Sequence, residues 1–415
     1  ANGRSNSATV DFTGSGEIIL QPRDVSQGLV GTGRGTALAE IGGKIYVGTT
    51  TPDVQEYNNT SPLTVVRTLL TTPTDAATGL INGTLTMVFA TGNEVDYSTD
   101  GTTWNRNTTD IKYIAFWRDL LWGIDTGGLL YFTSDLSGSW TQVARLQLSS
   151  GSVSHLFVGP SATPDSVLYA ASQVGLHAYD AENERFVDTP LILPPHPDGG
   201  KGATAAPWGS IYYSAGQAIY EYTPGPSNII RSVGFDVEGG FSSTETGVIS
   251  ALRATMYHLY ATLDTNGSIN SAAGLYRWNR RGWQSLVLSG AGSANRADSN
   301  LLVASAFSSY RLYWCFAAGT IGELHYSALP QGIANPLQIS AYAYSIASAQ
   351  FWVSPWIQKD SGQTWLAMSV TIDAIINNVD ESIVVSYGVD FSDTYTTMGT
   401  ITTSGETTYP FPVSG

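Results

Sequence analysis

Apolar and polar positions alternate in short bursts along this chain, and one burst sets the pattern for the rest. Trp117–Thr133 reads WRDLLWGIDTGGLLYFT, with an apolar run at Leu120–Ile124, a polar link at Asp125–Gly128 and a second run at Leu129–Thr133. Asp and Gly in so short a link between two β-prone runs signal a hairpin. The same order recurs along the chain. Ile45–Val47 precedes Val54–Tyr57, Leu85–Phe89 precedes Glu94–Ser98, and Val167–Ala170 precedes Leu176–Tyr179. Ile211–Tyr213 precedes Ala218–Tyr222, Leu259–Thr262 precedes Gly274–Trp278, and Leu312–Phe316 precedes Glu323–Tyr326.

The first apolar centres of these units are Ile45, Met87, Leu121, Leu168, Ile211, Leu259 and Leu312. Their spacing runs from roughly 34 to 53 residues with a mean of about 45, the period of a four-stranded propeller blade. Such a unit cannot bury both faces alone, so neighbouring blades must stack around an axis. The pattern predicts an all-β chain with a closed β-propeller over residues 31–335, of seven blades, with six or eight as the alternative counts. Unrelated hairpins in one β-sandwich are the rival reading. Residues 1–30 read as an N-terminal arm, in which Glu17–Gln21 (EIILQ) is the strand expected to close the ring.

From Gln331 the pattern changes. The runs LAMSVTIDA at 366–374 and SIVVSYGVD at 382–390 alternate apolar and polar residues, which predicts a separate β-sandwich over residues 336–415. The chain opens without an initiator Met and stops soon after these strands, so the sequence reads as a piece of a longer polypeptide and the module as cut short.

Composition fits an all-β chain rich in turns: Gly 44, Tyr 22 and only 13% charged residues. The net charge of −15 repels phosphate backbones and anionic bilayers, which argues against nucleic-acid partners and membrane surfaces. No apolar run approaches the roughly 20 residues of a spanning helix. Cys315 is the one cysteine, placed in an apolar run, so no disulfide framework or thiol metal cluster is expected.

Candidate chemistry is sparse. Gly31–Gly35 (GTGRG) precedes a strand pattern rather than a helix, so it reads as a turn and not a phosphate loop. The five histidines are His155, His177, His196, His258 and His325, and none shows metal-ligand spacing. His177 and His325 hold matching places in their units. Asp264–Asn270 (DTNGSIN) hints at an oxygen-ligand loop but lacks a later bidentate Glu, so a plain turn is the preferred reading. Asp119, Asp125, Asp236, Glu238 and Asp264 are carboxylates of which no pair stands out as the two a glycosidase needs. No catalytic residue, metal or cofactor is assigned. Trp278, Trp283, Arg280 and Arg281, in LYRWNRRGWQ, form the best candidate for stacking on a glycan; blade-core packing is the alternative for the Trp pair.

Two turns carry a resemblance. Ser98–Trp104 (STDGTTW) and Thr133–Trp140 (TSDLSGSW) resemble the Asp-box hairpin turn of sialidases and other propellers. Ser98, Asp100, Gly101 and Trp104 match a shortened form, while Thr133, Asp135 and Trp140 keep the spacing with Gly138 one place late. In that family the turns are structural and lie away from the active site. The resemblance implies that both Trp pack under their turns at equivalent places in adjacent blades. The arginine-clamp signature of a sialidase site is absent from the sequence.

The C-terminal residues resemble a module of bacteriophage virion proteins, through Ser354–Trp356, Trp365, Val385–Asp390 and Met398–Glu406. The resemblance covers roughly the last 75 residues and transfers no site residue. It implies a non-enzymatic structural or adhesion component of a tail, fibre or capsid, located on a virion or outside cells. Its partners would be other virion proteins or copies of itself, with a cell-surface glycan as a further partner. The alternative is a secreted carbohydrate-active propeller, hydrolase or lectin. Host, ligand, oligomer and place in a particle are not written in the sequence.

Overall fold

The computed structural model describes residues 25–29, 31, 33–60, 62–148, 152–234, 246–265, 273–280, 282–288, 295–297, 299–308, 310–318, 321–329, 352–353, 369–374, 376, 382–388 and 395–411, with the backbone of short strands at 6–7, 10–11 and 19–20. Residues 1–354 and 355–415 form separate compact units.

The first unit is a seven-bladed β-propeller. Six blades are antiparallel meanders continuous in sequence, at 35–68, 75–107, 113–145, 153–192, 204–232 and 248–288. The seventh is composite. Its inner edge is formed by Asn295–Arg296 and Leu302–Ala304, both paired to Arg311–Ala318, followed by Ile321–Ala328. Its outermost strand is Val25–Gly28, which pairs Tyr326 with Val25 and Glu323 with Gly28.

That closing strand corrects the expectation for Glu17–Gln21. Ile19–Leu20 pairs instead with Val10–Asp11. The physical reason is the anchor at the next residue, Leu29. Leu29 donates its N–H to Gly322 O and buries its side chain between the seventh and first blades. From there the chain has only the short link to the first strand, Gly35–Ile41, to cover.

The seven apolar centres of the sequence are the second strands of the seven blades, and each of those residues is 0% exposed. Seven apolar clusters hold the ring, one at each junction between neighbours. Tyr46, Phe89 and Met87 join blades one and two; Val88, Ile114 and Leu121 join two and three. Trp122 and Tyr179 join three and four, and Tyr169 and Tyr213 join four and five. Tyr212, Trp278 and Trp283 join five and six, and Tyr260 and Trp314 join six and seven. Tyr57 and Tyr313 close seven onto one. Fully burying one such ring stabilises by about 1.5–3 kcal/mol, so the junction and not the isolated blade is the stable unit.

In blades one to four the second and third strands meet in a turn braced by a short polar side chain at one equivalent place. Thr91 Oγ1 accepts from Glu94 N (3.2 Å), Asp125 Oδ1 from Leu129 N (2.8 Å) and Ser172 Oγ from Val174 N (3.2 Å). Thr49 Oγ1 donates to Asp53 Oδ1 (2.6 Å) at the same turn of blade one. These bonds fix the hairpin register that the alternation requires.

Cys315 is buried at the junction of blades seven and one. It lies so close to Gly35 that any side chain there would collide with its Sγ.

In the second unit, Ser369–Ala374 pairs with Gly405–Pro410, and Ile383–Tyr387 pairs with Thr396–Ile401. The two pairs share a small apolar cluster of Ala374, Val385 and Ile401. Ser354–Trp356 and Trp365 lie outside the described residues.

Candidate functional site

The two boxed turns sit at equivalent places, between the third and outermost strands of blades two and three. In the first, Asp100 Oδ1 accepts from Thr102 N and Thr103 N (both 2.7 Å), and Ser98 Oγ from Gly101 N (2.8 Å). These amides hold the Asp100 carboxyl well below the usual range. Gly101 takes a φ of 76°, and a side chain there would strike the Tyr46 hydroxyl. In the second, Asp135 Oδ1 accepts from Ser137 N (2.9 Å) and Thr133 Oγ1 from Asp135 N (3.0 Å). Trp104 is half-buried against Tyr46 and Phe89, and Trp140 is half-buried in the next junction.

The glycan-stacking cluster expected from the sequence is not assembled as a surface. Trp278 and Trp283 are each 5% exposed, stacked on one another at 6.2 Å, and Trp283 Nε1 donates to Val233 O (2.8 Å). Their faces are consumed by the junction of blades five and six. Of the described members Arg280 remains outside, its guanidinium 5.5 Å from the Trp208 ring centre; Arg281 is not among the described residues. Asp236, Glu238 and residues 266–270 also lie outside them. Asp264 is committed to Arg296 Nε (3.1 Å) and Ala297 N (3.2 Å).

His177 forms a Ser–His–Asp line. Its Nε2 lies 2.8 Å from Ser172 Oγ and its Nδ1 2.7 Å from Asp188 Oδ1. The distances match a nucleophile, base and orienting acid. The burial is inverted: Ser172 is 0% and His177 2% exposed, while the Asp188 carboxylate faces water. A substrate could reach the acid but not the nucleophile, so the line is a brace across the strands of blade four. Burial keeps the imidazole below its ordinary pKa despite Asp188.

A second charged group is buried between blades one and two. Asp96, on the strand Val95–Ser98, and Glu94, just before it, both have 0% exposed side chains. Arg67 Nε donates to Asp96 Oδ1 (2.6 Å), and Arg106 Nε lies 2.9 Å from Glu94 Oε2 and 3.1 Å from Asp96 Oδ2. Glu94 Oε1 also accepts from Leu70 N (2.6 Å). Sequence reasoning missed these four residues. The available signal was the pair of acids at alternate positions in Glu94–Ser98, the run read as the second half of a hairpin.

Around the axis, side chains on or beside the inner strands tie neighbouring blades at four of the seven junctions. Thr36 Oγ1 donates to Pro73 O (2.8 Å), Thr74 Oγ1 to Lys112 O (2.6 Å) and Ser154 Oγ to Gly199 O (2.5 Å). Asn300 exchanges two bonds with the Leu38 backbone, joining the seventh blade to the first. Asp75 accepts from Ala76 N and Ile114 N (both 2.9 Å).

The inner strands line the central channel of a propeller, and four titrating groups with displaced pKa values, Asp75, Tyr113, His155 and Arg253, lie on them. Burial pushes the Asp75 carboxyl up to about 7 against its two amide bonds, and pushes His155 down to about 4 with help from the Arg253 charge. Lys112 is lowered by burial and then by Lys201, and Arg253 is lowered by desolvation although its side chain meets water.

Asp75 gives a pH test. Its folded pKa of about 7 lies above the unfolded value of about 3.9, so between these values the folded chain holds a proton the unfolded chain has lost. Its contribution to stability therefore falls as pH rises from about 4 to about 7. Urea unfolding of Asp75→Asn across this window should show the variant gaining on the parent as pH rises. Parallel pH profiles would rule the assignment out.

No family of known proteins matches the sequence, and no curated protein matches it. Solved structures match the fold. A virginiamycin B lyase of Staphylococcus aureus, solved with quinupristin, superposes with a TM-score of 0.55 at 11% identity, covering 74% of this chain and 99% of that one. The extracellular domain of a hybrid two-component system of B. thetaiotaomicron gives 0.55 at 15%, covering 75% and 40%. YCF48 from Cyanidioschyzon merolae gives 0.50 at 13%, covering 76% and 99%. At these identities the likeness concerns the propeller fold alone.

Proposed function

We propose that this chain is a non-enzymatic binding propeller: a virion structural or adhesion component that works through protein–protein contacts, with a host-surface glycan as a second partner. The observation that carries the binding role is the outer rim of blades four and five. All of Ile229–Ser232 is exposed, with Ile229 at 58% and Ile230 at 40%, and Val187 and Ile192 of the neighbouring blade are exposed at 43% and 44%. An outermost strand offers an unpaired backbone edge, and apolar side chains on it favour a covering partner. The Ser–His–Asp line supports the non-enzymatic part, because its serine is sealed. The virion assignment rests on the resemblance of residues 354–406, with the terminal module taken as a β-sandwich.

Cross-linking mass spectrometry on particles or secretions that contain the chain tests the reading. Cross-links from the 185–232 rim to another chain are expected. A glycan array and a glycosidase assay on the same protein separate the alternatives. Polysaccharide turnover abolished by replacing one carboxylate would replace this reading with the carbohydrate-active enzyme.

A further inference from the structure

We propose that the axial channel is an anion site, which takes a small ligand bearing a carboxylate or phosphate group between Lys112, His155 and Arg253. The proposal is independent of what covers the outer rim.

Three observations converge on it. First, the cations cluster against the trend of the chain. The net charge is −15 and Lys is scarce, yet Lys112 and Lys201 lie close enough for the charge of one to bear on the other. His155 and Arg253 flank one segment: Ser154 Oγ donates to Gly199 O (2.5 Å) and Leu252 N to Gly202 O (3.2 Å). Lys112 leads into the inner strand Tyr113–Trp117, His155 lies on Val153–Gly159, and Arg253 on Val248–Ala254, so three blades contribute to one axis.

Second, two of these cations lack an acid. Lys201 is paired with Asp198 at 2.6 Å. Lys112 and Arg253 make no ion pair among the described residues; Lys112 sits over the Tyr113 ring at 5.3 Å. Asp75, the acid on the neighbouring inner strand, spends its oxygens on the amides of Ala76 and Ile114. Enclosed cations without counter-charge cost stability, and a bound oxyanion would remove that cost.

Third, the wall suits a small ligand. Tyr113 meets His155 edge-on at 6.2 Å, and His155 stacks on Phe157 at 6.0 Å, so a flat aromatic shelf borders the cations. A guanidinium fork binds carboxylate and phosphate through paired hydrogen bonds, and a low-dielectric wall strengthens the attraction.

Calorimetric titration of the whole chain with glucuronate, glucose 1-phosphate and neutral glucose tests this. Saturable binding of at least one of the two anions, with none for glucose, is expected, and the two anions distinguish a carboxylate ligand from a phosphate one. Lys112→Met and Arg253→Gln should each weaken binding by at least tenfold, while Arg185→Gln, at the exposed outer strand of blade four, should leave it unchanged. Without ligand, both channel variants should unfold at the parent's midpoint or above it, because each removes an unpaired, desolvated cation. Three results would each overturn the proposal: no anion binding above that of glucose, binding retained in both variants, or a lowered midpoint in both that reveals a structural role.

Discussion

A chain that begins at residue 31 should lose about 5 kcal/mol of stability and unfold without a single sharp transition, whereas one that begins at residue 22 should keep its closed ring. The shorter truncation leaves Val25–Gly28 paired to Glu323–Tyr326. The longer one removes that ladder, the Leu29 N–Gly322 O bond and the buried Leu29 side chain. Loss of a core leucine alone costs about 2–5 kcal/mol, and each backbone bond adds roughly 0.5–1.5. The effect should spread beyond blade seven. Tyr57 and Tyr313 meet in the cluster that Leu29 caps, so the junction of the first and last blades loosens with it. The bared edge of Ile321–Ala328 is then a template for pairing with another chain, and aggregation should result. Thermal unfolding and light scattering on the two truncations decide the matter. Equal behaviour of both would place ring closure elsewhere.

The blades were legible in the sequence because their second strands are buried on both faces. Residues such as Met87 and Leu121 must be apolar, and the turn after each carries a bracing Thr or Asp. Outer strands were hard to read for the opposite reason. Thr64–Thr68 and Ile229–Ser232 face water along most of their length and carry no clean alternation. Ring closure obeys the same logic: EIILQ is the more apolar run, but VSQG closes the ring, because an outermost strand has only one partner and needs little apolar surface. The Trp278–Trp283 hairpin shows the limit of composition. Trp beside Arg suits both a glycan platform and a blade junction, and the direction of the rings relative to blade five is a tertiary fact. The proposed channel site was illegible because Lys112, His155 and Arg253 are scattered in sequence and belong to three different blades.

Asp96→Ala should destabilise the propeller by about 3–5 kcal/mol, the cost of removing one member of a buried ion pair. Asp96 is fully buried, and it holds Arg67 from the outermost strand of blade one and Arg106 from the outermost strand of its own blade. Cutting it leaves two guanidiniums, each about a quarter exposed, facing Glu94 alone. Glu94 cannot serve both. Burial raises its pKa first of all and the bond from Leu70 N opposes that; losing the Asp96 charge relieves a further rise, but one carboxylate still faces two guanidiniums. The deficit should resist salt, since a pair this enclosed is poorly screened. Exposed pairs such as Lys201–Asp198 should by contrast contribute about 0–1 kcal/mol. A double-mutant cycle isolates the coupling: Arg106→Ala on top of Asp96→Ala should cost less than it does alone, because the second change removes a charge the first has orphaned. Denaturant unfolding of the four proteins gives the answer. A loss below about 1 kcal/mol for Asp96→Ala, or strict additivity in the cycle, would mean that the junction of blades one and two is held by the Tyr46, Met87 and Phe89 packing alone and that the buried charges are dispensable to it.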